Sequence, residues 1–227
     1  MILTIGNTKG GTGKSTFAVN IAIHRAKNHS VLLVDGDEQQ SALSFTQLRN
    51  RQDYVAVALT GTQIRSQVPK LAVNYPEIII DVGGRDSGSF RAALTITHRL
   101  LIPIQPRTFD MWAMETVATL IDEAKTFNPS MRCYAVLNLA DVQGSDNKYA
   151  ETYMIDFSGI QYLDCPIYRR KAYSDSISQG KGIEEFKPRN SKAINEFNQL
   201  VSFVYHQELT ENGDSKETKN SRHTKDG

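Results

Sequence analysis

Short apolar runs alternate with longer amphipathic stretches along nearly the whole chain. The runs are ILTIG (2–6), SVLLVD (30–35), YVAVAL (54–59), EIIID (77–81), RLLIPI (99–104), RCYAVLN (132–138) and IQYLDCPIY (160–168). Several are continuously apolar, the pattern of strands covered on both faces. The stretches 14–28, 41–52, 88–97 and 108–126 are long enough for crossover helices. Phe17, Ile21 and Ala22, with Ala18 beside them, give the first of these a buried stripe. Strand and helix in regular succession predict an α/β fold, a mostly parallel doubly wound sheet with helices on both faces.

Near the end of the chain, from about Ser191 to His206, the residues Ile194, Phe197, Leu200, Val201 and Val204 share one stripe. The polar side carries Glu196 and few lysines, which suits a closing helix docked on the sheet better than one lying on anionic lipid. Residues 208–227 are almost without apolar side chains, so the expectation is a single domain over 1–207 and a disordered polar tail.

Composition changes this picture little. The 227 residues are 40% hydrophobic and 22% charged, as in ordinary globular domains. A net charge of +1 means that any basic surface must be local. Cys133 and Cys165 form no Cys-x-x-Cys pair, and the histidines show no ligand spacing, which argues against zinc and iron–sulfur sites. Neither a signal-peptide pattern nor an apolar run approaching ~18 residues is present, so a cytoplasmic protein with no membrane partner is expected.

The chemistry concentrates in NTKGGTGKST (7–16), which follows a predicted strand and opens a predicted helix. That context marks a phosphate-binding loop. Gly10, Gly11 and Gly13, with Thr12 and Thr16 around them, let backbone N–H groups curl about phosphate oxygens at a helix N-terminus. Lys14 reaches the β- and γ-phosphates and Ser15 ligates Mg²⁺ in this reading. Yet Thr8 stands where the P-loop rule asks for glycine, and Lys9 follows it.

The pattern Lys-Gly-Gly-x-Gly-Lys-[Ser/Thr] resembles the deviant Walker A loop of the ParA/MinD family of ATPases. The resemblance implies that Lys9 crosses a dimer to the partner's bound phosphates, coupling ATP occupancy to dimerisation as an arginine finger does. VLLVDGDEQQSA (31–42) is similar to the family's Asp-x-Asp segment, with Glu38 in place of the usual proline. By that similarity Asp37 orients the attacking water, making Lys9, Lys14 and Asp37 the catalytic set, and Asp35 supports the Mg²⁺ shell. EIIIDVGGRDSGS (77–89) resembles a Walker B strand whose Asp81 holds Mg²⁺ through water. Gly83 and Gly84 permit close approach to a γ-phosphate, and Arg85 and Asp86 are candidate dimer contacts. PIQPRTFDMWAM (103–114) resembles the segment bordering the nucleotide, and VLNLADVQGSDN (136–147) the adenine-side loop, where Asn138 reads the base edge.

What the resemblance implies is a slow ATPase that forms an ATP-bound homodimer. It binds DNA nonspecifically, is released when a ParB-type centromere-binding protein stimulates hydrolysis, and so partitions plasmids or chromosomes. RRKAYSDSISQGKGIEEF (169–186) resembles a late segment of the family, and the local basic excess there and just beyond offers a DNA face: Arg169, Arg170, Lys171, Lys187, Arg189 and Lys192. The first strand begins at residue 2, with no helix-turn-helix ahead of it, so the small kind of ParA is expected. A positioner of a protein cargo, a MinD-like division-site regulator and a dethiobiotin-synthase-like ligase are the alternatives.

Overall fold

The computed structural model describes residues 1–83, 88–143 and 145–206. Gly84, Arg85, Asp86 and the tail at 208–227 lie outside the described residues. Among those described, seven strands run as β1 (Ile2–Asn7), β2 (Val31–Asp35), β3 (Val55–Ala58), β4 (Glu77–Gly83), β5 (Arg99–Ile104), β6 (Arg132–Ala140) and β7 (Gln161–Tyr168). Eight helices lie between and after them: α1 (Lys14–Ala26), α2 (Ser41–Leu48), α3 (Thr62–Leu71), α4 (Gly88–Leu94), α5 (Thr108–Lys125), α6 (Asp146–Ile155), α7 (Lys171–Ser178) and α8 (Ser191–His206).

The strands form one sheet in the order β3-β2-β4-β1-β5-β6-β7, every neighbouring pair parallel. Alternate residues serve opposite layers, as the pleat requires. Leu3 and Ile5 of β1 enter a core with Phe17 and Ile21 of α1, Phe45 of α2, Tyr173 of α7 and Phe197 of α8. On the other face Ile2, Ile78 and Ile80 pack with Ile64 of α3, Phe90 of α4 and Met114 of α5. The chain leaves β1 toward β2 on one side and later returns past it to β5 on the other. The C-terminal end of β1 is therefore a topological switch point, where open α/β sheets form their ligand crevice.

The apolar stripe of α8 is docked, since Ala193, Ile194, Phe197, Leu200, Val201 and Val204 are all buried and the helix packs on β7. Each of the larger of these side chains contributes roughly 1.5–3 kcal/mol by burial, which opposes release of the helix to a lipid surface. Its last turn is held at the N-terminal ends of the central strands. There Arg99, at the start of β5, donates to the Val204 carbonyl, and the Arg25 guanidinium lies 4.1 Å over the Tyr205 ring. Among the described residues no helix is long and apolar enough to cross a membrane.

Some elements are shorter than the pattern predicts. α2 stops at Leu48 because Arg49 turns extended and drives its guanidinium inward. There it grips Asp53 (Nε to Oδ1, 2.9 Å), Glu185 (Nη1 to Oε2, 2.7 Å) and the Gly180 carbonyl (3.1 Å). The end of α2 is thereby tied to the segment that follows α7.

Candidate nucleotide-binding site

The phosphate loop links the end of β1 to the start of α1. Gly11 and Gly13 take left-handed backbone angles (φ 76° and 91°), and Gly13 caps α1 while accepting the Phe17 N–H at 3.0 Å. A side chain at Gly13 would also collide with a neighbour, its Cβ falling 2.1 Å from Asn138 Nδ2. Gly13→Ala therefore combines left-handed strain of about 1–2 kcal/mol with displacement of a buried amide. We expect a lower urea midpoint for this variant together with loss of ATP binding. An unchanged midpoint would show that the loop relaxes freely.

Lys14 is buried, with its Nζ donating to the Lys9 carbonyl at 2.8 Å. Its side chain lies directly over Gly83, where a Cβ would fall 1.9 Å from Lys14 Cε. Burial lowers the Lys14 pKa, opposed by the carboxylates of Asp81 and Asp37. A residue with a side chain at position 83 would therefore push the ammonium out of place.

Asp81 and Asp35 stand on neighbouring strands, paired in register across β2 and β4. Asp81 is 1% exposed, and among the described residues no well-formed hydrogen bond reaches either of its oxygens, although the Ser15 hydroxyl lies close. Burial pushes its pKa up to about 7; the nearby Ser15 hydroxyl pulls it down, Asp35 raises it further, and the Lys14 ammonium pulls it down. A buried carboxylate left open in this way is costly by itself. With Ser15 and Asp37 it fits a hard divalent cation, which takes oxygen ligands directly or through water.

Asp35 has other partners. Its Oδ1 accepts the Asp37 N–H at 3.2 Å and its Oδ2 the Leu43 N–H at 2.8 Å. Backbone donors thus reach both Asp35 oxygens, and each oxygen keeps a further lone pair for a metal-bound water. The carboxylate clamps the Asp37 loop to the first turn of α2. Asp37 itself is half-buried, accepts the Gln39 N–H at 2.9 Å through Oδ1, and faces the cavity.

That cavity measures about 950 Å³, at the upper end of the range for small-molecule sites. Gly10, Lys14, Ser15, Thr16, Asp37 and Gly83 line its phosphate end, and it extends to Phe45 of α2 and Ile177 of α7. Lys9 is not among its walls. That side chain is only half-buried, near Asp110 in the first turn of α5, whose carboxyl is buried with one oxygen unpartnered. Burial raises the Asp110 pKa, and the charges of Lys9 and Arg107 oppose the rise.

Two expectations from the sequence need correction. Asn138 was expected at the base edge. It is buried and donates to the Thr12 carbonyl at 2.7 Å, so its amide supports the loop from beneath and does not line the cavity. Arg170 was expected on a DNA face. Its Nε is instead shared between the two oxygens of Glu196 (3.1 and 3.0 Å), with the guanidinium 5.7 Å from the Tyr168 ring centroid. That pairing neutralises it and pins β7 to α8. Arg169 is half-exposed, with Nε 3.9 Å from Asp141. Lys171 is exposed with Asp175 3.8 Å away, Lys187 and Arg189 are exposed on the segment leading into α8, and Lys192 is exposed in its first turn. Sequence reading missed Gln105, whose Nε2 donates to the Gly11 carbonyl at 2.8 Å. The one available signal was its place just past β5, beside the loop.

Comparison with known proteins agrees with this geometry. A curated relative, the maintenance of carboxysome distribution protein A of Halothiobacillus neapolitanus, is 25% identical over 89% of this chain and 95% of its own. Protein ParA of Rhizobium radiobacter is 21% identical over 92% of this chain and 98% of its own. In structure, the ATP complex of an aspartate-to-alanine variant of Cyanothece McdA superposes with a TM-score of 0.72. It is 14% identical, covering 89% of this chain and 95% of that one. The model of the CobQ/CobB/MinD/ParA nucleotide binding domain matches residues 3–183. With a deviant phosphate loop at a parallel-sheet switch point and an open buried carboxylate beside it, the chain belongs to the CobQ/CobB/MinD/ParA nucleotide-binding-domain family.

Proposed function

We infer that this protein is a slow ParA-type ATPase that dimerises around two ATP–Mg²⁺, holds DNA without reading sequence, and positions a cargo. The observation that carries this reading is the division of labour between two lysines. Lys14 lines the phosphate end of the cavity, while Lys9, next to the lining residue Gly10, is half-buried and not part of its wall. A lysine so placed suits the phosphates of a second subunit better than those of its own.

Lys14 and the loop N–H groups bind the triphosphate, while Asp81 and Ser15 hold Mg²⁺, whose charge offsets that of the β- and γ-oxygens. Asp37, facing the same space, orients the water that attacks. Because Asp35 ties the Asp37 loop to α2, and Arg49 ties α2 to the segment before Lys187, nucleotide state has a packed route to the basic surface. Lys187, Arg189 and Lys192 are exposed and suited to meet backbone phosphates, with Lys171 beside its partner Asp175. Arg170 is withdrawn from that role by Glu196.

Two cargoes fit. A plasmid or chromosome complex would be engaged through a ParB-type centromere-binding protein, as the ParA relative suggests. A protein body is the other, favoured by the similarity to proteins named for carboxysome distribution. Both rest on DNA tethering and predict a nucleoid location for the ATP-bound form.

The test is binding to a random-sequence duplex with ADP and with ATP across a salt series. Binding only with ATP, falling steeply as salt rises, is expected. Arg189→Ala should flatten the log–log salt slope by about 1, whereas Arg170→Ala should lower the melting temperature and leave the slope alone. Absence of binding in every nucleotide state would overturn the DNA-tethered reading.

A further inference from the structure

Side-chain amides reach the phosphate loop from the ends of three adjacent strands. Asn7, the last residue of β1, accepts the Lys9 N–H at 3.0 Å and donates to the Pro103 carbonyl at 2.8 Å. Gln105, just past β5, donates to the Gly11 carbonyl at 2.8 Å. Asn138, in β6, donates to the Thr12 carbonyl at 2.7 Å and is 4% exposed. Two consecutive loop carbonyls are thus drawn toward the β5–β6 side of the site.

The physical need for this is specific to anion binding. A backbone nest holds phosphate only while its N–H groups point inward, and an inward carbonyl would repel the same oxygens. In Gly10-Gly11-Thr12-Gly13 three of four residues lack a Cβ, so the chain itself resists peptide rotation weakly. Hydrogen bonds from outside the loop then have to set which way each peptide faces. Asn138 does this at close quarters, since Gly13 packs so tightly on its amide that no side chain fits between them.

We propose that Asn138 and Gln105 are positioning residues of the phosphate loop, holding the Thr12 and Gly11 carbonyls away from bound phosphates, so that Asn138 acts on the triphosphate and not on the base. The proposal rests on the nucleotide-binding reading of this cavity and deepens it. It differs from base recognition in a measurable way: support of the loop is felt by every ligand carrying the phosphate chain, whereas a base contact is felt only by the matching purine.

Affinities for ATP, GTP and inorganic tripolyphosphate are to be measured by calorimetry on the full chain and on Asn138→Ala and Gln105→Ala. Removing Asn138 leaves a buried carbonyl unpaired, so the three ligands are expected to weaken by one common factor of about tenfold. Gln105→Ala, at a more exposed site, should weaken all three by about threefold. Thermal melting without ligand checks that each variant folds, and Gln105→Ala carries the test if Asn138→Ala does not. Loss confined to ATP, with tripolyphosphate unchanged, would overturn the proposal in favour of a base contact. Unchanged affinity for all three would overturn it outright. Wild-type protein that binds none of the three would instead sink the nucleotide-site reading, a result distinct from either.

Discussion

Lys14→Ala is expected to lose ATP binding almost entirely, by about a hundredfold or more, because charge-assisted hydrogen bonds to phosphate oxygens disappear together with a buried cation. The free protein should tolerate the change. Lys14 is held there against a desolvation cost, donating to one carbonyl and facing Asp81 and Asp37. Ligand-induced stabilisation separates the two effects, since a site filled to a hundred times its Kd adds about 2.7 kcal/mol to unfolding. A melting series with and without ATP–Mg²⁺ should show wild type shifting upward and Lys14→Ala staying put. An equal shift in both would mean that the triphosphate is held elsewhere.

Asp37→Ala should do the opposite, preserving binding while stopping turnover. Among the described residues its side chain accepts only the neighbouring Gln39 N–H, so no hydrogen bond of the phosphate loop is lost with it. With its carboxylate gone the attacking water loses its acceptor, and phosphate release should fall by about a hundredfold or more. The protein would then accumulate as a long-lived ATP-bound dimer, visible by light scattering with ATP–Mg²⁺ and absent with ADP. Normal turnover by this variant would transfer the water-orienting role to another residue, and Glu38, which shares the cavity wall, is the first to examine.

How much of this was legible in the sequence follows from the range of the interactions involved. All seven apolar runs became strands, because burial on both faces leaves a local, continuous signature. The phosphate loop was legible for a similar reason, as its glycines, lysine and serine are adjacent in the chain, although the amides that orient its peptides are not. Asp81 ends an apolar run, and the run predicts its place. What the sequence hid is pairing across long separations. The charge count at 169–192 could not show that Arg170 is neutralised by Glu196, because the partner is brought in by the docking of α8 on β7. Arg49 carried no pattern at all, yet it is buried between two carboxylates, one of them far along the chain. Asn138 was expected at the base edge, but the atom it meets is a loop carbonyl 126 residues earlier. The difference between Asp35 and Asp81 is of the same kind. Both read as metal ligands, and only the fold reveals that backbone N–H groups reach Asp35 while, among the described residues, none reaches the Asp81 carboxylate.

The anchoring of α8 has a practical consequence. Its final turn is fastened to the start of β5, at the edge of the sheet remote from the phosphate loop, and every strand runs away from that edge toward the nucleotide. With strands of roughly six residues, about 20 Å of protein separates the two edges. A fluorophore, surface tether or affinity handle fixed at exposed Ser202, near the end of α8, would therefore sit on the side opposite the cavity. Single-molecule and immobilised-binding formats can be built from that end without shielding the face where ATP and a second subunit would meet.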